Sequence, residues 1–182
     1  LLDLTPAAAE IRLRQYMEQI GQPPYRARQV ARHLWTAPVN SFAEMTALPL
    51  PLREKLEAQF EMPRLELITR QTSSDGTEKF LFRLRDGEAI ETVAIPEGNR
   101  MTLCISSQAG CPLQCAFCAR GAMGFSRNLA VHEIAGQVRE MRLLDPAIHV
   151  TNVVFMGMGE PMMNWKAVDP TLTILNDASG LG

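Results

Sequence analysis

Four cysteines, Cys104, Cys111, Cys115 and Cys118, lie within 15 residues, and the rest of the 182-residue chain has none. A disulfide framework spreads its cysteines to join distant segments, and it belongs to oxidising compartments. Clustering points instead to a metal or redox site in a reducing compartment. Cys111 to Cys118 read C-x3-C-x2-C. Structural zinc takes four ligands, commonly from two C-x2-C pairs or a Cys2His2 set. Here there is one C-x2-C step, and the nearest histidine, His132, stands 14 residues beyond Cys118. Three closely spaced thiolates suit an iron–sulfur cube, because one loop can reach three irons. The fourth iron then stays open, and an open metal position marks reactivity rather than structure.

A second candidate loop is Gly157-Met158-Gly159-Glu160-Pro161-Met162-Met163-Asn164. Glycine lets backbone approach a ligand closely. Glu160 puts a charge where a buried strand ends, a costly place without a cationic partner. The plainer reading is a strand-to-helix turn with Glu160 near a helix start, favoured by the dipole. The nearby methionines, Met156, Met158, Met162 and Met163, are expected to fill core gaps.

The elements that must hold these loops read in three blocks. Residues 1–62 form a helical accessory domain. Thr5-Pro6 starts a helix with Leu13, Met17 and Ile20 at helical spacing, and Gly21 with Pro23-Pro24 ends it. Further helices are expected at about 25–35 and 51–60, with Ser41-x-x-Glu44 as a capping box. Residues 63–100 switch to period two, with Phe80, Phe82 and Leu84 alternating against Lys79, Leu81, Arg83 and Arg85. Asp75-Gly76 and Asp86-Gly87 mark hairpin turns, so this block is an antiparallel β-meander. It carries Glu91, which on sequence alone is a carboxylate on a solvent-facing strand surface. Residues 101–182 alternate strand, loop and helix: a strand at 101–105, a helix at about 130–144, a strand at 150–156 buried on both faces, and a helix at 165–175 presenting Val168, Leu172 and Leu175. The fold class is therefore α/β, and both candidate loops follow strands, where such folds carry their chemistry. Cys104, on the first of these strands, is by default a small buried hydrophobe.

The C-x3-C-x2-C motif, with Phe117 before its last cysteine, resembles the signature of the radical S-adenosylmethionine (SAM) superfamily. With Cys104-Ile105-Ser106-Ser107-Gln108-Ala109-Gly110-Cys111, Gly124-Phe125-Ser126-Arg127-Asn128-Leu129 and Gly157 to Asn164, the chain resembles the RlmN family over most of its length, including Tyr25-Arg26-Ala27-Arg28-Gln29 and Ile90-Glu91-Thr92-Val93. Arg120 departs from the pattern, where a small hydroxylated residue is common.

The resemblance implies a partial radical-SAM β/α barrel and an enzyme that methylates C2 of adenosine in 23S rRNA and tRNA. It implies that Cys111, Cys115 and Cys118 hold a 4Fe-4S cluster and that Gly159 and Glu160 bind SAM (S-adenosyl-L-methionine). It gives Cys104 the part of resolving a protein–RNA adduct and Glu91 that of proton acceptor. The methyl-carrying cysteine of the family has no counterpart after Cys118, so the chain is expected to be an N-terminal fragment, inactive alone, and its barrel truncated. A cytoplasmic monomer served by an electron donor such as flavodoxin is implied as well. The alternatives are a C8-methylating relative linked to ribosome-drug resistance and, from another class, a non-enzymatic RNA- or zinc-binding module.

Composition agrees with an ordinary globular chain: 46% hydrophobic, 21% charged and net charge −2. Disorder is excluded, and no apolar run reaches the length of a membrane span. Residues 1–62 carry seven basic and seven acidic residues, with Arg26, Arg28 and Arg32 as a helix face that solvation explains. Arg100, Arg120, Arg127, Arg139 and Arg142, against Glu133 and Glu140, form a local basic rim that could meet phosphates.

Overall fold

The computed structural model describes residues 1–113, 115, 116, 118, 124–145 and 148–182. Phe117 and Arg120 lie outside the described residues. Contacts divide the chain into two compact units, residues 1–64 with 170–182, and residues 65–169.

In the first unit, α1 (Pro6–Gln19), α2 (Tyr25–Arg32) and α3 (Leu50–Gln59) share the core with buried residues of the connecting segments, among them Leu34, Trp35, Phe42, Met45 and Leu48. Ala9, Leu13 and Met17 are buried along α1, Ala27 and Val30 along α2, and Leu52 and Leu56 along α3. Helix α2 ends at Arg32, earlier than its apolar spacing predicts; Leu34 and Trp35 are buried from the turn that follows. The expected capping box becomes a 3-10 turn at Phe42–Glu44 without a Ser41 side-chain cap. The Glu44 carboxylate reaches one residue further back and accepts from the Asn40 backbone and side chain. The Tyr16 and Phe60 rings meet edge-on at 5.0 Å.

The second unit is built on a five-stranded sheet. The strands β1 (Glu66–Thr72), β2 (Glu78–Arg83), β3 (Ala89–Glu97) and β4 (Arg100–Cys104) run antiparallel in chain order. Gly76 and Gly87, at φ +84° and +92°, make the two hairpin turns that Asp-Gly predicts. A small two-stranded ribbon, β5 (Gln108–Gly110) with β6 (Phe125–Asn128), closes the base of the cysteine loop. Then α4 (Val131–Leu144) leads to β7 (Asn152–Val154), which joins β4 in parallel at the sheet edge. That β4–α4–β7 unit is the α/β element expected. Its second strand is shorter than the apolar run suggests, and Val153, Val154 and Phe155 are half-buried rather than covered on both faces. The last helix, α5 (Trp165–Asn176), begins in this unit, with Ala167 and Val168 buried, and from Pro170 onward belongs to the first unit, with Thr171 and Ile174 buried and Leu172 and Leu175 half-buried.

One face of the sheet is a core. Phe80 and Phe82 of β2 pair with Thr92 and Ile90 of β3, and Ala94 pairs with Leu103 of β4. All six are at most 1% exposed. Helix α4 lies against this face and is buried around most of its surface, polar residues included. Its Gln137 accounts for much of that. Its Oε1 accepts from Thr92 Oγ1 and from the Ser106 backbone N–H, both at 2.8 Å, and its Nε2 donates to the Ser106 carbonyl. A buried amide satisfied on both ends fixes the helix to the strand ends instead of burdening the core.

Candidate active site at the strand ends

The opposite face of the same strands carries the candidate chemistry. Val93 and Cys104 are directly paired across β3 and β4, so they point the same way. Glu91, two residues before Val93, shares that side. Glu91 and Cys104 are thus diagonal neighbours, a relation that separates Cα atoms by about 7–8 Å. Both are half-buried. The Glu91 carboxylate lies 3.6 Å from the Lys79 ammonium, which holds it from the side of β2. Burial pushes the Cys104 thiol above its ordinary pKa, and a hydrogen bond from the Met156 backbone N–H pulls partly the other way. The raised pKa keeps the Cys104 thiol protonated at neutral pH.

The cysteine loop leaves just past β4. Its base is pinched where the Cys111 N–H donates to the Gly124 carbonyl at 2.9 Å. Gly110, at φ +77°, cannot be replaced there, because a Cβ would stand 2.1 Å from that carbonyl oxygen. Within the loop, Cys118 N–H donates to the Cys115 carbonyl, a tight turn that sets two thiols on one short arc. All four cysteines are free thiols. Among the described residues no three Cys, His, Asp or Glu side chains converge as the ligands of a single ion must. Thiolates that serve different irons of one cluster need not converge on a point. Three free thiols in one short stretch of sequence, with no carboxylate among them, are chemically a set for such a cluster, and Cys111, Cys115 and Cys118 would hold it.

The glycine loop follows β7. Its glycines are required by protein, not by open space. A Cβ on Gly157 would stand 2.7 Å from the Ile105 carbonyl, and one on Gly159, at φ +96°, would stand 2.5 Å from Gln108 Cβ. Glu160 adopts the plainer of its two readings in part: its carboxylate accepts from Met162 N–H and caps the 3-10 turn at Pro161–Asn164. The methionines correct the expectation of packing. Met158 is buried, whereas Met156, Met162 and Met163 are 79%, 67% and 52% exposed. Together with Trp165 and Phe125 they leave apolar surface beside the two loops.

Sequence reasoning missed the polar residues that hold these loops. Ser106 Oγ donates to the Glu91 carbonyl at 2.6 Å and accepts from Met158 N–H at 2.9 Å. Buried Asn164 donates to the carbonyls of Ser107 and Leu129. Gln108, 1% exposed, donates to Asn128 and accepts from the Glu160 backbone. All lie in segments whose spelling was noticed; nothing in residue type separated them from ordinary loop polarity.

The basic rim is also revised. Arg127 binds Glu133 through both terminal nitrogens at 2.7 and 2.8 Å and Asp86 at 2.5 Å, with the Glu133 bonds the stronger influence raising its pKa. Arg100 pairs with Glu97, and Arg139 is 1% exposed. Arg127 and Arg100 are thus engaged by carboxylates of the protein, and Arg139 is shielded from solvent. In the first unit, Arg28 likewise pairs with Glu10.

No helix among the described residues is long and apolar enough to cross a membrane. A family model described as "Ribosomal RNA large subunit methyltransferase N-terminal domain" matches residues 1–62, and one for the radical SAM superfamily matches 105–181. The "Probable dual-specificity RNA methyltransferase RlmN" of Gemmatimonas aurantiaca is 65% identical over the whole chain, which covers 51% of that protein. The "Dual-specificity RNA methyltransferase RlmN" of Magnetococcus marinus is 49% identical, again with all of this chain on 51% of the relative. A crystal structure of a radical SAM methyltransferase from Sphaerobacter thermophilus superposes with a TM-score of 0.87 at 38% identity, covering all of this chain and 53% of that one. The chain thus spans about half the length of the curated relatives it matches. A match to the RlmN-type N-terminal domain thus leads into a match to the radical SAM superfamily, and relatives named RlmN align with this chain from its first residue to its last, along about half of their own length.

Proposed function

We propose that the protein containing this chain is a radical SAM RNA methyltransferase that modifies C2 of adenosine in 23S rRNA and in tRNA. The observation that carries this reading is the placement of Glu91 and Cys104 as neighbours on one face, at strand ends from which the three-cysteine loop and the Gly157–Asn164 loop both emerge. The names of the relatives agree with it.

Cys111, Cys115 and Cys118 hold a 4Fe-4S cluster, and Gly159 with Glu160 bind the amino-acid end of SAM. Bound there, the two supply a one-electron route to a carbon-centred radical, which suits a ring carbon too electron-poor for direct methyl transfer. The chain's own residues do the rest. The Glu91 carboxylate accepts the proton that must leave adenine C2. Cys104 keeps its proton at rest and acts late: as its sulfur bonds to that of the adduct-bearing cysteine outside this chain, the sulfur–methylene bond to the RNA breaks, its electron pair stays on the adenine-linked carbon, and a proton equivalent to the one the thiol gives up completes the methyl group. Residues 1–62 form the accessory domain, 63–100 the connecting meander, and 101–182 part of the catalytic core. Adenine C2 is reached when the base is unpaired or flipped out. An enzyme with these substrates works in the cytoplasm, as a monomer fed by a donor such as flavodoxin.

The test is anaerobic reconstitution of the full-length protein, followed by mass spectrometry of adenosine from ribosomal and transfer RNA. Methylation at C2 is expected. Methylation at C8 would assign the protein to the drug-resistance relative, and stoichiometric zinc without SAM cleavage would overturn the enzymatic reading.

A further inference from the structure

Five hydrogen bonds hold the cysteine loop and the glycine loop to a common frame, and one side chain touches both. Gln108 opens β5, at the entry to the cysteine loop, and is 1% exposed. Its Nε2 donates to Asn128 Oδ1 at 2.7 Å, across the ribbon at the exit of that loop. Its Oε1 accepts the backbone N–H of Glu160 at 2.9 Å, in the other loop. Its Cβ and Cγ fill the space that a side chain on Gly159 would need. The Gln108 and Ser107 backbone N–H groups both donate to the Met158 carbonyl, at 3.2 and 2.8 Å. Asn128 completes the frame by donating to the Met163 carbonyl at 3.5 Å.

We infer that Gln108 is a positioning residue that locks the Gly159–Glu160 backbone to the base of the cysteine loop, so that the separation between SAM's amino-acid end and the cluster is fixed by the protein before either arrives. The inference rests on the reading that these two loops hold SAM and the cluster. Its physical basis is the amide itself. A side-chain amide carries N–H donors and a carbonyl acceptor on one rigid plane, so it can bridge two segments without burying a charge. A ligand spanning two loops binds more tightly when the loops are pre-set, because the ordering cost is met on folding.

Gln108→Met keeps volume and removes both bonds. Asn128→Ala, at an exposed position where folding is safe, removes the Gln108 tie on the cysteine-loop side together with Asn128's own bond to the Met163 carbonyl, and leaves the Gln108–Glu160 bond in place. In the full-length protein, amide hydrogen exchange measured before cluster assembly should speed up in 157–164 as well as in 108–128 for both variants. After anaerobic reconstitution, SAM affinity should fall about tenfold for Gln108→Met, as loss of a buried hydrogen bond implies, and less for Asn128→Ala. Iron content should stay at the wild-type level. Faster exchange confined to 108–128, with SAM affinity within twofold of wild type, would overturn the inference. If Gln108→Met fails to fold, the exchange of the Glu160 amide, which is bonded to Gln108 and not to Asn128, decides the matter in Asn128→Ala by the same criterion. Wild-type protein that takes up iron but no SAM would sink the functional reading instead, and the exchange result would then judge the tie between the loops on its own.

Discussion

The two faces of strands β3 and β4 do different work with alternate residues of the same sequence. On one face Ile90, Thr92, Ala94 and Leu103 are sealed beneath α4. On the other Glu91, Val93 and Cys104 are half-buried, with Lys79 at their edge. A strand's period of two makes this division automatic. Packing on the first face fixes the register that brings Glu91 beside Cys104 on the second. The stability of the unit and its chemistry are thereby separable by substitution, although the residues are adjacent in the chain.

The largest effect that could break this separation is on catalysis. Glu91→Gln and Cys104→Ala, in the full-length enzyme, should each lower methylation by about 10²–10⁴-fold, the range for loss of a positioned proton-transfer group. Their unfolding free energies should change by less than about 1 kcal/mol. A comparable loss of stability would mean that the open face is structural after all. Leu103→Ala should do the reverse, costing about 2–5 kcal/mol in denaturant titrations while SAM affinity of the folded enzyme holds. Gln137→Leu, on the covered side, should cost about 1–3 kcal/mol by stranding the Ser106 and Thr92 groups it now satisfies.

Two smaller effects follow from titration. Burial raises the Cys104 pKa above its ordinary 9.0, so alkylation of this thiol should remain slow at neutral pH and accelerate only above pH 9. The sign for stability is set by the same shift. The folded state keeps the proton longer than the unfolded chain, so stability falls as pH rises past 9.0, and Cys104→Ala should remove that slope. Asp86 shifts oppositely. The hydrogen bond from Arg127 lowers its pKa below 3.8, so its contribution is complete above that value and fades as pH falls toward the folded pKa. Since Asp86 is 44% exposed, Asp86→Asn should cost less than about 1 kcal/mol and flatten only the acid limb.

Much of the architecture was legible from local pattern. The Asp-Gly turns, the alternation at Phe80 and Phe82, and the helical spacing of Val131, Ile134, Val138 and Met141 each reflect one dominant local constraint, and all three reappear in the structure. The misreadings came where tertiary surroundings decide. Met156, Met162 and Met163 look like core by type, yet burial is a property of neighbours and these three face outward. Arg127 and Arg139 look like phosphate ligands by charge, but carboxylates from other elements claim the first and burial removes the second.

The chain alone determined which chemistry is available, because three thiols at fixed short spacing remain neighbours in any fold. It also determined that strands precede both loops, because periodicity is a local property. Only the folded arrangement decided that Glu91 and Cys104 share one face as diagonal neighbours and that Gln108 spans two loops. Those relations depend on sheet register and on backbone approach between segments far apart in sequence, and residue type and spacing carry no information about either.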